Sequence, residues 1–215
     1  MPLLIHSDRW RRHFTPWLVS CCWLAAVLVC FGVIIDRDVT PGEAAAAPET
    51  YPNGILPPRS THRAALVMFA HPRCPCTFAS LNELTQILQA YPNCAEVRIV
   101  FRTPAIVSDE WKSSPLWEAA AALPDTTVIA DPDGAIARHC GVTTSGHVLL
   151  YGASGKLLFS GGITGSRGHI GENAGRNAVI ALLSGGQHAE PGTATFGCAL
   201  FDHKPCREDK ACPVP

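Results

Sequence analysis

The stretch FAHPRCPCTF, residues 69–78, decides how the rest of the chain is read. It joins a short apolar run, AALVMFA (64–70), to an amphipathic stretch, TFASLNELTQILQA (77–90). The first reads as a buried parallel strand, because a strand covered on both faces is apolar without alternation. The second places Phe78, Leu81, Leu84, Ile87 and Leu88 at helical spacing, which predicts a helix with those residues on its buried face. Cys74 and Cys76 then lie at a helix N-terminus, where unpaired backbone N–H groups and the helix dipole favour an anion. A thiolate there has a lowered pKa and is a competent nucleophile. Arg73 and His71 would add to this if turned toward the sulfur. Residues i and i+2 point to different sides of a helix, so Cys74 is expected in the turn before it, with Pro75 fixing the backbone between the two cysteines. A disulfide across one residue closes a small, strained ring, and strain makes it more oxidising.

Working outward, Glu96–Phe101 (EVRIVF) reads as a second strand, and 109–123 as a helical stretch kinked or restarted at Pro115. Thr127–Ala130 reads as a third strand closed by the turn Asp131-Pro132-Asp133-Gly134, with a short helix over Ile136–His139. HVLLY (147–151) and KLLFS (156–160) form a hairpin, and 172–184 is a last helix. The order β-α-β-α-β-α-β-β-α implies an α/β fold with helices on both faces of a mixed sheet.

At the N-terminus, WLVSCCWLAAVLVCFGVII (17–35) is uncharged over 19 residues. As a helix it spans roughly 28 Å, close to the hydrocarbon thickness of a bilayer. Arg9, Arg11 and Arg12 precede it, and Asp36, Arg37 and Asp38 follow it. The basic excess keeps residues 1–16 in the cytoplasm and sends the remainder across. This predicts a single-pass protein of the inner (cell) membrane, its folded part facing the periplasm or the cell exterior. A cleaved signal sequence, with Ala44–Ala47 as the small-residue site, is the alternative; both deliver the domain to a compartment where disulfides persist. Residues 36–61, rich in Pro and Ala, read as a linker, 62–185 as the domain, and 186–215 as a cysteine-containing tail.

A net charge of −1 over 215 residues, with no basic face, argues against a nucleic-acid partner. Of ten cysteines, Cys21, Cys22 and Cys30 lie in the apolar segment and read as small hydrophobes. Cys140 reads as a core residue, and Cys94 as a loop residue, free to stay unpaired. Cys198, Cys206 and Cys212 pair with each other leaving one odd thiol, resolve the reactive centre, or bind metal. The glycine-rich loop 161–175, with Arg167 and His169, reads as an element shaping a groove or as a plain connection.

The motif FAHPRCPC resembles the strand, aromatic residue, proline and CxxC of the thioredoxin-like superfamily, with one residue fewer between the cysteines. The stretch CGVTTSGHVLLYGASGKLLFSGGI (140–163) is similar to that family's later segment, so the likeness covers about residues 62–185. Membrane-anchored periplasmic members, RedB-like proteins among them, share the layout. The resemblance implies a thioredoxin-like three-layer fold and thiol–disulfide exchange with protein substrates and a redox partner. It makes Cys74 the attacking and Cys76 the resolving cysteine, in a redox-active disulfide without a bound cofactor. Where most members carry a cis-proline facing the disulfide, this chain has Ser145-Gly146, which with His71 and Pro72 make up the expected substrate groove. The alternative is a copper-binding protein of the same fold, using Cys74, Cys76 and a histidine: His71 first, with His139, His147 and His169 as further candidates.

Overall fold

Strand β1 (Ala64–Ala70) lies at the centre of a five-stranded sheet, and its sequence explains why. Six of its seven residues are buried, since both faces of the strand are covered. It pairs in parallel with β2 (Ala95–Thr103), Leu66 opposite Val97, and antiparallel with β4 (His147–Tyr151), Leu66 opposite Leu150. β2 pairs in parallel with β3 (Thr126–Pro132), and β4 forms the expected hairpin with β5 (Leu157–Gly162). The order is β3-β2-β1-β4-β5, a mixed sheet as the element order requires. The computed structural model describes residues 6–43, 46–104, 114–186 and 190–201, with side chains from residue 16 onward.

Alternate residues of β1 serve the two faces of the sheet. Leu66, Met68 and Ala70 pack with Leu81, Leu84, Ile87 and Leu88 of α2 (Pro75–Ala90) and Val179 of α5 (Ala174–Leu183). Helix α3 (Pro115–Ala121) joins this layer through Ala120 and through Trp117, which stacks on Phe101 at 5.1 Å. Pro115 is the start of α3 and not a kink: Ser114 caps it, its Oγ accepting from Trp117 N–H at 3.2 Å. Residues 109–113 of the expected helix lie outside the described residues.

Ala65, Val67 and Phe69 face the other way, toward Ala137 of α4 (Ala135–His139), Cys140 and Val142. α4 is only five residues long, so extended chain completes this layer. Tyr51 and Leu56, read from sequence as linker, are each 3% exposed, and Leu200 of the tail is 3% exposed. Order therefore begins well before Ala64. Such segments are held by a few large side chains in pockets and carry no repeating pattern, so periodicity does not reveal them.

Phe78 departs from expectation more sharply: it is exposed at 57%, although its spacing assigned it to the buried face. Among the described residues, it does not join the core cluster that takes in Leu81, Leu84, Ile87 and Leu88. The glutamate at 83, within the same helix, is fully buried instead.

Helix α1 (His6–Val39) contains an apolar run of mean hydropathy 2.7 over its most apolar 18 residues, long enough to cross a membrane, and it includes the uncharged 17–35 expected. Its hydrophobic side chains, including Trp17, Trp23, Val29 and Phe31, are exposed.

Candidate redox site

The reactive turn is built where β1 stops and α2 begins. Cys74 is the residue before the first helical turn, in extended conformation (φ −94°, ψ 121°), and Pro75 opens the helix, where the ring's fixed φ is favourable. The turn is closed by its own backbone: the His71 carbonyl accepts from Cys74 N–H at 3.1 Å and from Thr77 Oγ1 at 3.0 Å. Cys74 O accepts from Thr77 N–H at 3.0 Å.

Ser145 and Gly146 fasten this turn to β4. Ser145 Oγ accepts from His71 N–H at 3.0 Å and lies 2.9 Å from Thr77 Oγ1, while Gly146 N–H donates to Phe69 O at 2.7 Å. Gly146 has φ +89°, and a Cβ there would crowd Ser80 Oγ, so glycine is needed. Of the four expected groove residues, then, Ser145 is buried in the scaffold and Pro72 is buried too, while His71 is half-buried.

The sulfurs of Cys74 and Cys76 do converge, and a third joins them. The Sγ atoms of Cys74, Cys76 and Cys198 all lie within 4.8 Å of one another, and Cys74 and Cys198 are 2.6 Å apart. Cys198 has a free thiol, so its place is beside the centre and not in a disulfide of the tail; Cys206, Cys212 and His203 lie outside the described residues. Cys74 is 2% exposed, whereas Cys76 and Cys198 are half-buried.

Electrostatics separate the three thiols. Burial works against a Cys74 thiolate, but hydrogen bonds donated by the Cys198 thiol and by the backbone N–H groups of Cys198, Thr77 and Cys76 outweigh it, and the pKa falls below the ordinary thiol value. Cys76 is raised by burial and by the negative charge of Cys74. Cys198 is pushed up to about 12 by burial, by the hydrogen bond it gives Cys74, and by repulsion from the other two sulfurs. Ionisation is therefore favoured at Cys74 over the other two sulfurs.

The cation near this cluster is Arg167, whose field favours ionisation of Cys76 and Cys198 and whose Nη1 donates to Gly197 O. His71 does not take that part. Burial and then the charges of Arg102 and Arg73 lower its pKa, leaving it neutral, and its Nδ1 accepts from Arg73 N–H at 3.2 Å. Among the described residues no histidine joins the sulfurs within that 4.8 Å. His147 in particular is engaged elsewhere, 2.9 Å from Ser160 Oγ and 2.9 Å from Thr195 Oγ1. Cys140 is fully buried and raised to about 12 by burial and the Asp131 charge, as suits a core residue; Cys94 is half-buried and free.

Sequence reasoning missed Cys198 as the third sulfur and Arg167 as the cation. The glycines of 161–175 pointed to that loop, and resolution of the centre was one of three roles open to the tail cysteines. Neither signal specifies a contact between residues 124 positions apart.

No protein-family model matches the chain, and no curated protein does. Solved structures do resemble it. A hypothetical protein from Sinorhizobium meliloti is 18% identical, with 75% of this chain and 94% of that one aligned and a TM-score of 0.51. An uncharacterised conserved protein from Geobacillus kaustophilus is 16% identical over 75% of this chain and 92% of its own, with a TM-score of 0.52. A secreted disulfide oxidoreductase of Mycobacterium tuberculosis aligns with 58% of this chain and 82% of its own at 16% identity and a TM-score of 0.40. Identities this low speak to architecture alone. With β1 central in a mixed sheet, helices layered against it, a hairpin at one edge and cysteines at the turn from β1 into α2, the chain has the thioredoxin-like fold.

Proposed function

We propose that this protein exchanges disulfides with protein thiols, with Cys74 as the nucleophile. The observation that carries the reading is the ionisable Cys74 sulfur, held at the start of α2 among hydrogen-bond donors and within 4.8 Å of two further thiols. A thiolate so placed attacks a client disulfide, forms a mixed disulfide, and is released by a neighbouring thiol. Cys76, half-exposed at the second helical position, is one such thiol. His71, Pro72, Ser145 and Gly146 shape and brace the ground on which a client docks. The chemistry resides in cysteine sulfur and uses no bound cofactor, and a redox partner restores the starting state.

The apolar stretch of α1, with Arg9, Arg11 and Arg12 before it, supports a single-pass anchor in the cell membrane. That orientation puts the three thiols on the periplasmic or outer side, where exchange with disulfide-bonded proteins is useful.

A second reading has one observation in its favour. Three sulfurs within 4.8 Å match the preference of Cu(I) for soft ligands, with Cys198 in the place first given to a histidine. One experiment separates the two readings: insulin reduction and copper content, measured together on the full chain in detergent. Exchange predicts turnover that Cys74→Ser reduces to the level of buffer. Stoichiometric copper, with insulin reduction absent in the wild type or untouched by Cys74→Ser, would overturn it.

A further inference from the structure

After α5 the chain returns along the hairpin and then crosses to the reactive turn. Ser160 N–H donates to Pro191 O at 3.0 Å, and Thr193 Oγ1 donates to Gly162 O at 2.7 Å. Beyond Thr195 the tail runs antiparallel to the residues just before β4 through one isolated bridge. Ser145 N–H donates to Cys198 O at 2.9 Å, Leu200 N–H donates to Thr143 O at 2.8 Å, and Thr144 and Ala199 form an antiparallel bridge. Both ends of this segment are tied down. Arg167 holds the Gly197 carbonyl, Leu200 is buried, and the Phe201 ring sits 4.3 Å beneath the Arg138 guanidinium. The residue between these anchors is Cys198.

Two thiols therefore compete for Cys74. A bond to Cys76 closes a ring across one residue, with Cys74 extended and Cys76 helical, a combination that stores strain. A bond to Cys198 joins two segments, 124 positions apart, that backbone hydrogen bonds already hold side by side. Their sulfurs are 2.6 Å apart.

We propose that Cys198 is the thiol that completes the redox pair with Cys74, and that the tail segment exists to deliver it. This rests on the exchange chemistry proposed above and assigns its second step. Cys74 thiolate attacks a client disulfide, forming one S–S bond to the client and expelling the client's other sulfur as a thiolate. Cys198 then attacks Cys74 Sγ, the Cys74–client bond breaks, and the departing client thiolate takes up the Cys198 proton. Two electrons have moved to the client, which leaves as one thiol and one thiolate that takes its proton from solvent, and the protein holds a Cys74–Cys198 disulfide. A dithiol reductant reverses the state. The timing follows from charge: two of the influences that keep Cys198 protonated, its bond to the Cys74 thiolate and repulsion from it, vanish once Cys74 is tied to a client. Cys74 is 2% exposed, so a client reaches it by displacing the Cys198 side chain while the flanking anchors at Gly197 and Leu200 hold.

The test uses the full chain in detergent, reduced and then treated with one equivalent of oxidised glutathione. Peptide mapping is expected to find Cys74 joined to Cys198 in the wild type and equally in Cys76→Ser, with both glutathiones released. In Cys198→Ser, glutathione is expected to stay on Cys74 at least tenfold longer. A Cys74–Cys76 bond in the wild type, with no Cys74–Cys198 bond in Cys76→Ser, would overturn the assignment, and this arm requires no change at Cys198. The two proposals fail separately. A chain that forms the Cys74–Cys198 bond yet leaves insulin intact supports the pairing and sinks the exchange reading, whereas Cys74-dependent insulin reduction with a Cys74–Cys76 bond sinks the pairing alone.

Discussion

At the scale of the residue, what distinguishes Cys74 is the set of donors around it. A helix N-terminus alone lowers a thiol's pKa, and burial at 2% exposure opposes that effect. The Cys198 thiol helps to decide the balance. Cys198→Ala is therefore expected to raise the Cys74 pKa toward or past that of an ordinary thiol, seen as a titration of thiolate ultraviolet absorbance displaced to higher pH. An unmoved titration would mean that backbone N–H groups suffice. Cys74 was legible in the sequence because strand, turn and helix are all local and the proline at 75 fixes the junction. Cys198 and Arg167 were not, because neither sits in any local pattern that announces where it will land.

At the scale of the element, helix α2 shows how a regular pattern misassigns its exceptions. Periodicity marks Phe78 as core, yet it is exposed, while Glu83 of the same helix is buried and meets the glycine-rich loop at Gly171. Glu83, fully buried, accepts from Gly171 N–H at 2.6 Å and pairs with Arg176 of α5 at 3.3 Å. One carboxylate thus ties α2, the loop carrying Arg167 and α5 together. Glu83→Ala leaves Arg176, whose side chain is 21% exposed, and the Gly171 amide without their partner. The expected cost is about 3 kcal/mol, read as a lowered urea midpoint at unchanged slope. A loss below about 0.5 kcal/mol would show that solvent replaces the carboxylate freely.

At the scale of the whole molecule, His147 links β4 to β5 through Ser160 and to the tail through Thr195. Burial lowers its pKa from 6.5 to about 4, so the folded state holds the imidazole neutral. Between those values the unfolded chain binds a proton that the folded one refuses. Stability is therefore full above pH 6.5 and declines as the pH falls toward 4, by about 3 kcal/mol for this group. Denaturation at stepped pH would show the decline, and His147→Gln should flatten it. A slope unchanged by that substitution would place the acid sensitivity elsewhere.

Local information settled the order of strands and helices, the apolar helix at the N-terminus and the position of Cys74, because each depends on neighbours within a few turns of chain. The layer behind β1 was a tertiary matter. Tyr51, Leu56 and Leu200 fill it from extended segments on either side of residues 62–185, and such segments have no period to read. The third sulfur was decided the same way. Only when the sheet has formed does the edge at Thr143–Ser145 exist to bind the tail, and only that pairing carries Cys198 to Cys74.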